Sequence, residues 1–319
     1  MSDIMEPGIY EMPPARYHAD PVAAPSLSAS IANVLLSQSP AHARWAHPRL
    51  NPEHEDGEPS AEMDAGTALH AAILEQRSVV AICEVEDWRT GGAREARRLA
   101  REEGKVPILA KRWAVIQRVA EAARANLAAH EIGDVFGRPG FPERVMVWRE
   151  DTAAGPVWCR SRVDWLLSTV APAGFIYDLK TTGSSAEPGA WGKRLANDGY
   201  AMQAAFYLRG ARALALKPDG FRFVVVEQDP PFGLSVCECA PDLMHFAEMQ
   251  VKAALELWGQ CLHADRWPSY PSRVAHVEAP AWAMMQWEER ALRIERETKA
   301  KPFYMPSDAR VVNSGAPFA

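Results

Sequence analysis

The segment Phe175-Ile176-Tyr177-Asp178-Leu179-Lys180 constrains this chain more than any other feature, because it sets a carboxylate and an ammonium two positions apart inside an apolar strand. Strand side chains alternate between faces, so Asp178 and Lys180 project from the same one. Charge on such a face must be paired or must hold something. Fourteen residues earlier, Asp164 lies in another strand pattern, Val157 to Leu167, and a turn containing Ala171-Pro172-Ala173-Gly174 joins the two. A third alternating run, Arg144 to Arg149, precedes them. Two carboxylates converging with a lysine suit Mg²⁺, a hard ion that takes oxygen donors, water and phosphate oxygens. An intrastrand ion pair would account for D-x-K alone.

The surrounding pattern indicates one mixed α/β domain. Residues 1–25 are rich in Pro and polar side chains and read as an arm. Ser28 is the expected N-cap of a helix carrying Ile31, Val34 and Leu35, and Ser39-Pro40 ends it and starts a second helix. A loop over 47–60 precedes a helix from Glu62 to Glu75. After an apolar run, Val79 to Val85, helical patterns cover 93–103 and 110–130, separated by Gly104 and Pro107. The three strands follow, then one long helix from Pro188 to Leu216. Strands Phe221 to Glu227 and Leu234 to Cys239 and a helix from Pro241 to His263 complete a β-β-β-α-β-β-α back half. The domain is expected over 26–270, and 271–319 reads as a tail that wraps it and frays.

Composition narrows the function classes. With 35 Lys and Arg against 41 Asp and Glu, the formal charge of −6 excludes a protein that coats nucleic acid by bulk charge. Positive charge is concentrated between Arg89 and Arg118, where Arg94, Arg97, Arg98 and Arg101 form either a DNA-binding face or a solvated one. No run of eighteen apolar residues suggests a membrane span, and Asp3, Glu6, Pro7, Pro13, Pro14 and Asp20 interrupt any signal core. Five scattered cysteines without a C-x-x-C pair fit a reducing cytoplasm. Gly192-Lys193 lacks the earlier glycine of a P-loop, so no ATP site is expected, and His130-Glu131 lacks the second histidine of a zincin.

Two more motifs complete the set. Gly66-Thr67-Ala68-Leu69-His70 sets a histidine on a small-residue helix, and Gln203 and Tyr207 stand four apart on another. Each has a bland alternative: a hydrogen-bonded core histidine, and a Gln and Tyr that only pack. Arg160 and Arg162 alternate with Asp164 and could reach a phosphate or pair with the carboxylates. Thr181 and Thr182 could donate to phosphate or cap the turn.

The ordered set G-T-A-L-H, R-x-D, D-L-K-T-T and Q-x-x-x-Y resembles the PD-(D/E)XK nucleases, in the branch of RecB-type nuclease domains and RecE-type phage exonucleases (exodeoxyribonuclease VIII). Ser26 to His42 and Met202 to Tyr207 are similar to the RecE-type group, and the likeness runs from about Gly8 to Pro271. It implies a restriction-endonuclease-like core, a central mixed β-sheet flanked by helices, with an N-terminal helical elaboration. It further implies His70, Asp164, Asp178 and the Leu179 carbonyl as metal ligands, Glu143 as a further acid that reaches a second metal through water, and Lys180 as the catalytic lysine. Gln203 and Tyr207 would line the site, and Arg160, Arg162 and Thr181 would contact DNA beside the α-helical arginines. Asp178 stands where many relatives carry Glu.

The activity implied is a Mg²⁺-dependent exonuclease, with Mn²⁺ substituting, that needs neither ATP nor an iron–sulfur cluster. It would act 5′ to 3′ on linear duplex ends, as a homo-oligomer or ring in the host cytoplasm, and leave 3′ overhangs for a RecT-like single-strand annealing protein. The alternatives are a single-strand exonuclease or structure-selective endonuclease of the RecB-nuclease kind, and an inactive DNA-binding scaffold.

Overall fold

The computed structural model describes residues 3–54, 57–74, 79–167 and 174–298. Residues up to Ser269 form one compact unit, and those from Tyr270 form a second. In the first, a seven-stranded sheet runs in the order β1 (Gly8–Tyr10), β5 (Gly140–Thr152), β6 (Gly155–Leu167), β7 (Ile176–Thr182), β8 (Phe221–Glu227) and β9 (Leu234–Glu238). A short β2 (Ser26–Leu27) pairs with β6 off this path. The sheet is mixed: β7–β8 and β2–β6 are parallel, and the other pairs are antiparallel. β3 (Val80–Cys83) and β4 (Val106–Leu109) form a separate parallel pair, which Pro107 had obscured as a mere helix break.

Alternation within the strands builds two cores, one on each face of the sheet. On one face Ile176, Phe221, Phe223 and Val225 pack with α2 (Ala29–Ser37), α7 (Pro188–Asn197), α8 (Tyr200–Ala213) and α9 (Pro241–Ala264). On the other, Tyr177, Leu179, Val224 and Val226 pack with α4 (Ala61–Ile73) and α6 (Ala110–Ala129). Each large side chain buried this way contributes about 1.5–3 kcal/mol. Ser28 and Ser39 cap α2 and α3 (Pro40–Ala46) as their sequence positions require, accepting from Ile31 and His42 N–H.

The single helix expected from Pro188 to Leu216 is two. Gly199, at φ +80°, breaks it, and a Cβ there would come within 2.7 Å of the Asn33 side chain. The turn signal was present in Asn197-Asp198-Gly199, where a glycine just past a helix end takes the left-handed conformation.

The first 25 residues are no arm. β1 joins the sheet edge, α1 (Pro14–His18) follows, and Ile4, Met12, Tyr17 and Val22 form a third core with Val145, Val147 and Trp158. Within this segment lies a buried ion network. Asp20, 2% exposed, receives Ser26 Oγ at 2.5 Å and Ser26 N–H at 3.0 Å, with Arg160 Nη1 at 3.0 Å and His47 Nε2 at 3.3 Å. Arg160 also donates to the Ser26 carbonyl at 2.7 Å. It is 3% exposed, so it is withdrawn from any DNA surface by its own partners.

In the second unit, α10 (Ala281–Thr298) is helical, and the end expected to fray lies outside the described residues. The turn through 171–173 is likewise outside them. No helix among the described residues is long and apolar enough to cross a membrane.

Asp20→Ala leaves Arg160 buried without its carboxylate and should cost about 3–5 kcal/mol in urea unfolding at pH 7. Burial raises the Asp20 carboxyl, but hydrogen bonds from His47 and Ser26 and the Arg160 charge outweigh it and hold it below the ordinary 3.8. A depressed carboxyl contributes fully above its ordinary value and loses that contribution as pH falls through the folded value. The gap between wild type and variant should therefore stay constant from neutral pH down to about pH 4 and narrow only below it.

Candidate active site

β6 and β7 share two ladder steps, Trp165–Tyr177 and Leu166–Ile176, and then part. β7 continues against β8 through Thr182, while the far half of β6 takes β2 as a neighbour at Trp158 and Cys159. Where the strands separate, a side chain replaces the lost ladder carbonyl: Asp164 Oδ2 accepts the Leu179 N–H at 2.8 Å. On the other side of β6 the ladder to β5 runs Pro142–Trp165 and Arg144–Val163 and skips Glu143 opposite Asp164. Glu143 holds φ +55°, a left-handed conformation that costs a non-glycine residue about 1–3 kcal/mol and turns its carboxylate toward Asp164.

α4 supplies the third member. Capped by Ser60, it packs Leu69 and Ile73 into the core and sets His70 Nδ1 3.7 Å from Asp164 Oδ2. One ligand atom each from His70, Glu143 and Asp164 lies within 4.8 Å of the others. Arg162 Nη2 pairs with Glu143 at 2.8 Å. From the opposite face, α8 brings Gln203, whose Nε2 donates to Asp178 Oδ1 at 2.7 Å, and Tyr207 one helical turn on, packed edge-on against Phe221. Lys180 Nζ lies 2.6 Å from Asp178 Oδ2 and 5.0 Å from the Tyr200 ring centre.

The electrostatics of the fork favour a cation. Burial, reinforced by the Asp164 charge, pushes the Glu143 carboxyl up to about 7. Burial also raises Asp178 to about 6, against the pull of Lys180, and raises Asp164. Burial and the Lys180 charge lower His70 to about 4, so at neutral pH it is an uncharged imidazole with a lone pair to donate. Burial disfavours charge on Lys180, but Asp178 and Asp164 outweigh it and keep the ammonium above its ordinary range.

These residues fit a divalent ion. Two carboxylates and a neutral imidazole converge, and the buried Asp178 Oδ2 accepts no well-aligned hydrogen bond despite the ammonium beside it. Oxygen donors with one imidazole suit Mg²⁺ or Mn²⁺. The compact set is His70, Glu143 and Asp164, whereas Asp178, expected as a ligand beside Asp164, is engaged by Gln203 and Lys180. The Leu179 peptide enters the fork through its N–H to Asp164. Thr181 falls on the β7 face opposite Lys180 by alternation; the hydroxyl in line with Asp178 and Lys180 is Thr182.

The arginines of α5 (Gly91–Glu102) are mostly engaged. Arg97 and Arg101 reach the buried Asp64 of α4 at 3.4 and 2.8 Å and also Glu58, and Arg98 pairs with Glu95 and Glu102. Of the four, only Arg94 has no carboxylate partner among the described residues. The segment is a salt-bridged face that fastens α5 to α4, because the acids interleaved with it and on α4 sit within reach of its arginines. Sequence reading missed Tyr200, whose nearness to Lys180 depends on the helix break at Gly199.

If the fork binds a divalent ion, 5 mM Mn²⁺ should raise the melting temperature of the wild type, since a ligand of the native state stabilises it. Glu143→Gln and Asp164→Ala should each abolish most of that rise. In metal-free buffer Asp164→Ala loses the acceptor of the Leu179 N–H and is relieved of its repulsion with Glu143, two effects of opposite sign, so the readout is the Mn²⁺-induced rise within each protein. An equal Mn²⁺ response in all three proteins, followed by differential scanning fluorimetry, would count against this ligand set.

The family model of a PDDEXK-like domain of unknown function (DUF3799) matches residues 30–280. Among curated proteins, none matches. One solved structure with a similar chain is described as a "Putative exonuclease" from Eubacterium rectale, at 13% identity over 82% of this chain and 92% of that one, with a TM-score of 0.48. Another, SSO0001, is 13% identical over 60% of this chain and 85% of that one, with a TM-score of 0.27. The family match spans most of the chain and takes in every residue of the fork, so the protein belongs to the PDDEXK-like (DUF3799) family, within the PD-(D/E)XK nuclease superfamily that its D-L-K strand resembles.

Proposed function

We propose that this nuclease-family protein is a Mg²⁺-dependent, ATP-independent DNA exonuclease of the RecE type, which resects linear duplex ends 5′ to 3′ and leaves 3′ overhangs for a RecT-like annealing protein in phage recombination. The observation that carries the reading is the convergence of His70, Glu143 and Asp164 beside the Asp178–Lys180 pair at the point where β6 and β7 part. An inactive scaffold would have no use for buried carboxylates held this close, which destabilise the fold unless a cation joins them. A homo-oligomer, ring-shaped so that it keeps hold of the strand, and a bacterial cytoplasmic setting belong to the same proposal.

His70, Glu143 and Asp164 would hold the ion, with Asp178 beside them. When bound, it supplies Lewis-acid polarisation of the phosphodiester and lowers the pKa of a nearby water. The chain's own groups do the rest. Lys180 is an ammonium at neutral pH and therefore acts by charge: it orients the attacking water by donation and offsets negative charge that develops on the phosphate. Gln203 fixes Asp178, and Asp178 fixes Lys180, so the ammonium is aimed before substrate arrives. The attacking water gives up its proton to solvent and the leaving 3′-oxygen takes one up from solvent.

The test is digestion of end-labelled linear duplexes, 5′-phosphorylated or not, with Mg²⁺ and without ATP. Progressive release of 5′ nucleotides from linear but not covalently closed circular DNA is expected. Cleavage of closed circles would favour a structure-selective endonuclease, and digestion confined to single strands the RecB-nuclease alternative. Lys180→Ala should slow single-turnover cleavage by about 100-fold or more while changing DNA affinity little, because its charge acts on the transition state. An unchanged single-turnover rate would remove Lys180 from the mechanism.

A further inference from the structure

Lys180 is the middle of a polar line that the catalytic set does not use up. Asp178, Lys180 and Thr182 alternate along one face of β7, and Thr182 stands about 6.6 Å beyond Lys180 at strand spacing. Thr182 is 4% exposed, and its hydroxyl meets Ser184 Oγ at 2.9 Å and Arg194 Nη1 at 3.3 Å. Arg194, from α7, is half-buried. Its guanidinium lies 4.7 Å from the Trp191 ring centre and 5.7 Å from that of Tyr200, two rings stacked 5.5 Å apart at 12°. Tyr200 is the ring above which the Lys180 ammonium sits. The two cations therefore share one aromatic support, one facing the fork and the other just outside it.

We propose that Arg194, with the Thr182–Ser184 hydroxyls, binds the backbone phosphate adjacent to the one cleaved. The assignment rests on the nuclease reading and names the part of the substrate this site takes. Two residues of strand separate it from Lys180, a distance comparable to one nucleotide step along a DNA backbone. A planar guanidinium pre-set on aromatic rings matches phosphate bidentately, whereas an ammonium would not.

Comparison with the α5 arginines supports the choice. Arg97 and Arg101 are tied to the buried Asp64, and freeing them would strand that carboxylate. The carboxylate on Arg194 is Asp198, an i,i+4 partner at 2.9 Å with both side chains more than a third exposed. Such a pair is worth roughly 0.3–0.5 kcal/mol and yields readily to a phosphate.

The experiment measures binding of a fluorescein-labelled 20-base-pair duplex by anisotropy at several salt concentrations, in Ca²⁺ with the DNA checked to be intact. Arg194→Gln should weaken binding roughly tenfold and reduce the slope of log affinity against log salt by about one. Asp198→Asn should do the opposite and tighten binding a few-fold, a gain that misfolding cannot produce. Arg212→Gln, which removes an exposed arginine paired with Glu248, should change neither quantity. Equal affinity and slope for wild type, Arg194→Gln and Asp198→Asn would overturn the assignment while leaving the nuclease reading intact. Failure of the wild type to bind the duplex would overturn both, and cleavage loss in Asp164→Ala tests the nuclease reading separately.

Discussion

An antiparallel pair of strands ordinarily continues until one of them ends, because each further step satisfies two more backbone groups. β6 and β7 stop after two steps although both run on. The constraint this creates organises the unit: backbone groups left open between two central strands must find partners or carry a penalty of about 1–3 kcal/mol each. Asp164 meets it by accepting the Leu179 N–H at 2.8 Å, so the carboxylate is oriented by a structural debt of the sheet itself. Its remaining lone pairs face the gap, where His70 and Glu143 arrive from α4 and β5.

Charge counting shows why the gap suits a cation. Glu143, Asp164 and Asp178 supply three potential negative charges, and Arg162 and Lys180, each in an ion pair, supply two positive ones. His70, lowered by burial and by Lys180, adds none at neutral pH. Burial, reinforced by the Asp164 charge, raises the Glu143 carboxyl to about 7, so of the three acids it holds its proton most readily. A divalent ion reverses the sign of the fork, from repelling a phosphate to attracting one. On the proposed nuclease reading, metal loading would therefore favour substrate binding through charge.

Much of this was legible in the sequence, for identifiable reasons. Period-2 alternation puts Asp178 and Lys180 on one face whatever the tertiary fold, and a charged pair in an apolar strand signals function or a local ion pair. Ser28 and Ser39 act within their own helices and were equally readable. Glu143 became a close neighbour of His70 and Asp164 only because its backbone turns to φ +55°, and no local rule places a glutamate there. The engagement of Arg97 and Arg101 by Asp64 spans more than thirty residues and depends on how α5 lies on α4, which periodicity does not encode. Arg194 and Tyr200 flank a helix break that Asn197-Asp198-Gly199 did announce.

The N-terminal segment, which composition made look dispensable, follows from the same separation of strands. Having lost β7, the far half of β6 would be an open edge in the middle of a sheet, with unpaired N–H and C=O groups beside the site. β2 covers it with Ser26 and Leu27 opposite Trp158 and Cys159. A two-residue strand is too short to hold itself there. Arg160, the next residue along β6, grips the Ser26 carbonyl and hydroxyl, and Asp20 clamps both Arg160 and Ser26 from the segment before. The buried ion pair thus holds β2 against the half of β6 that β7 has left, and four residues beyond Arg160 on the same strand stands Asp164.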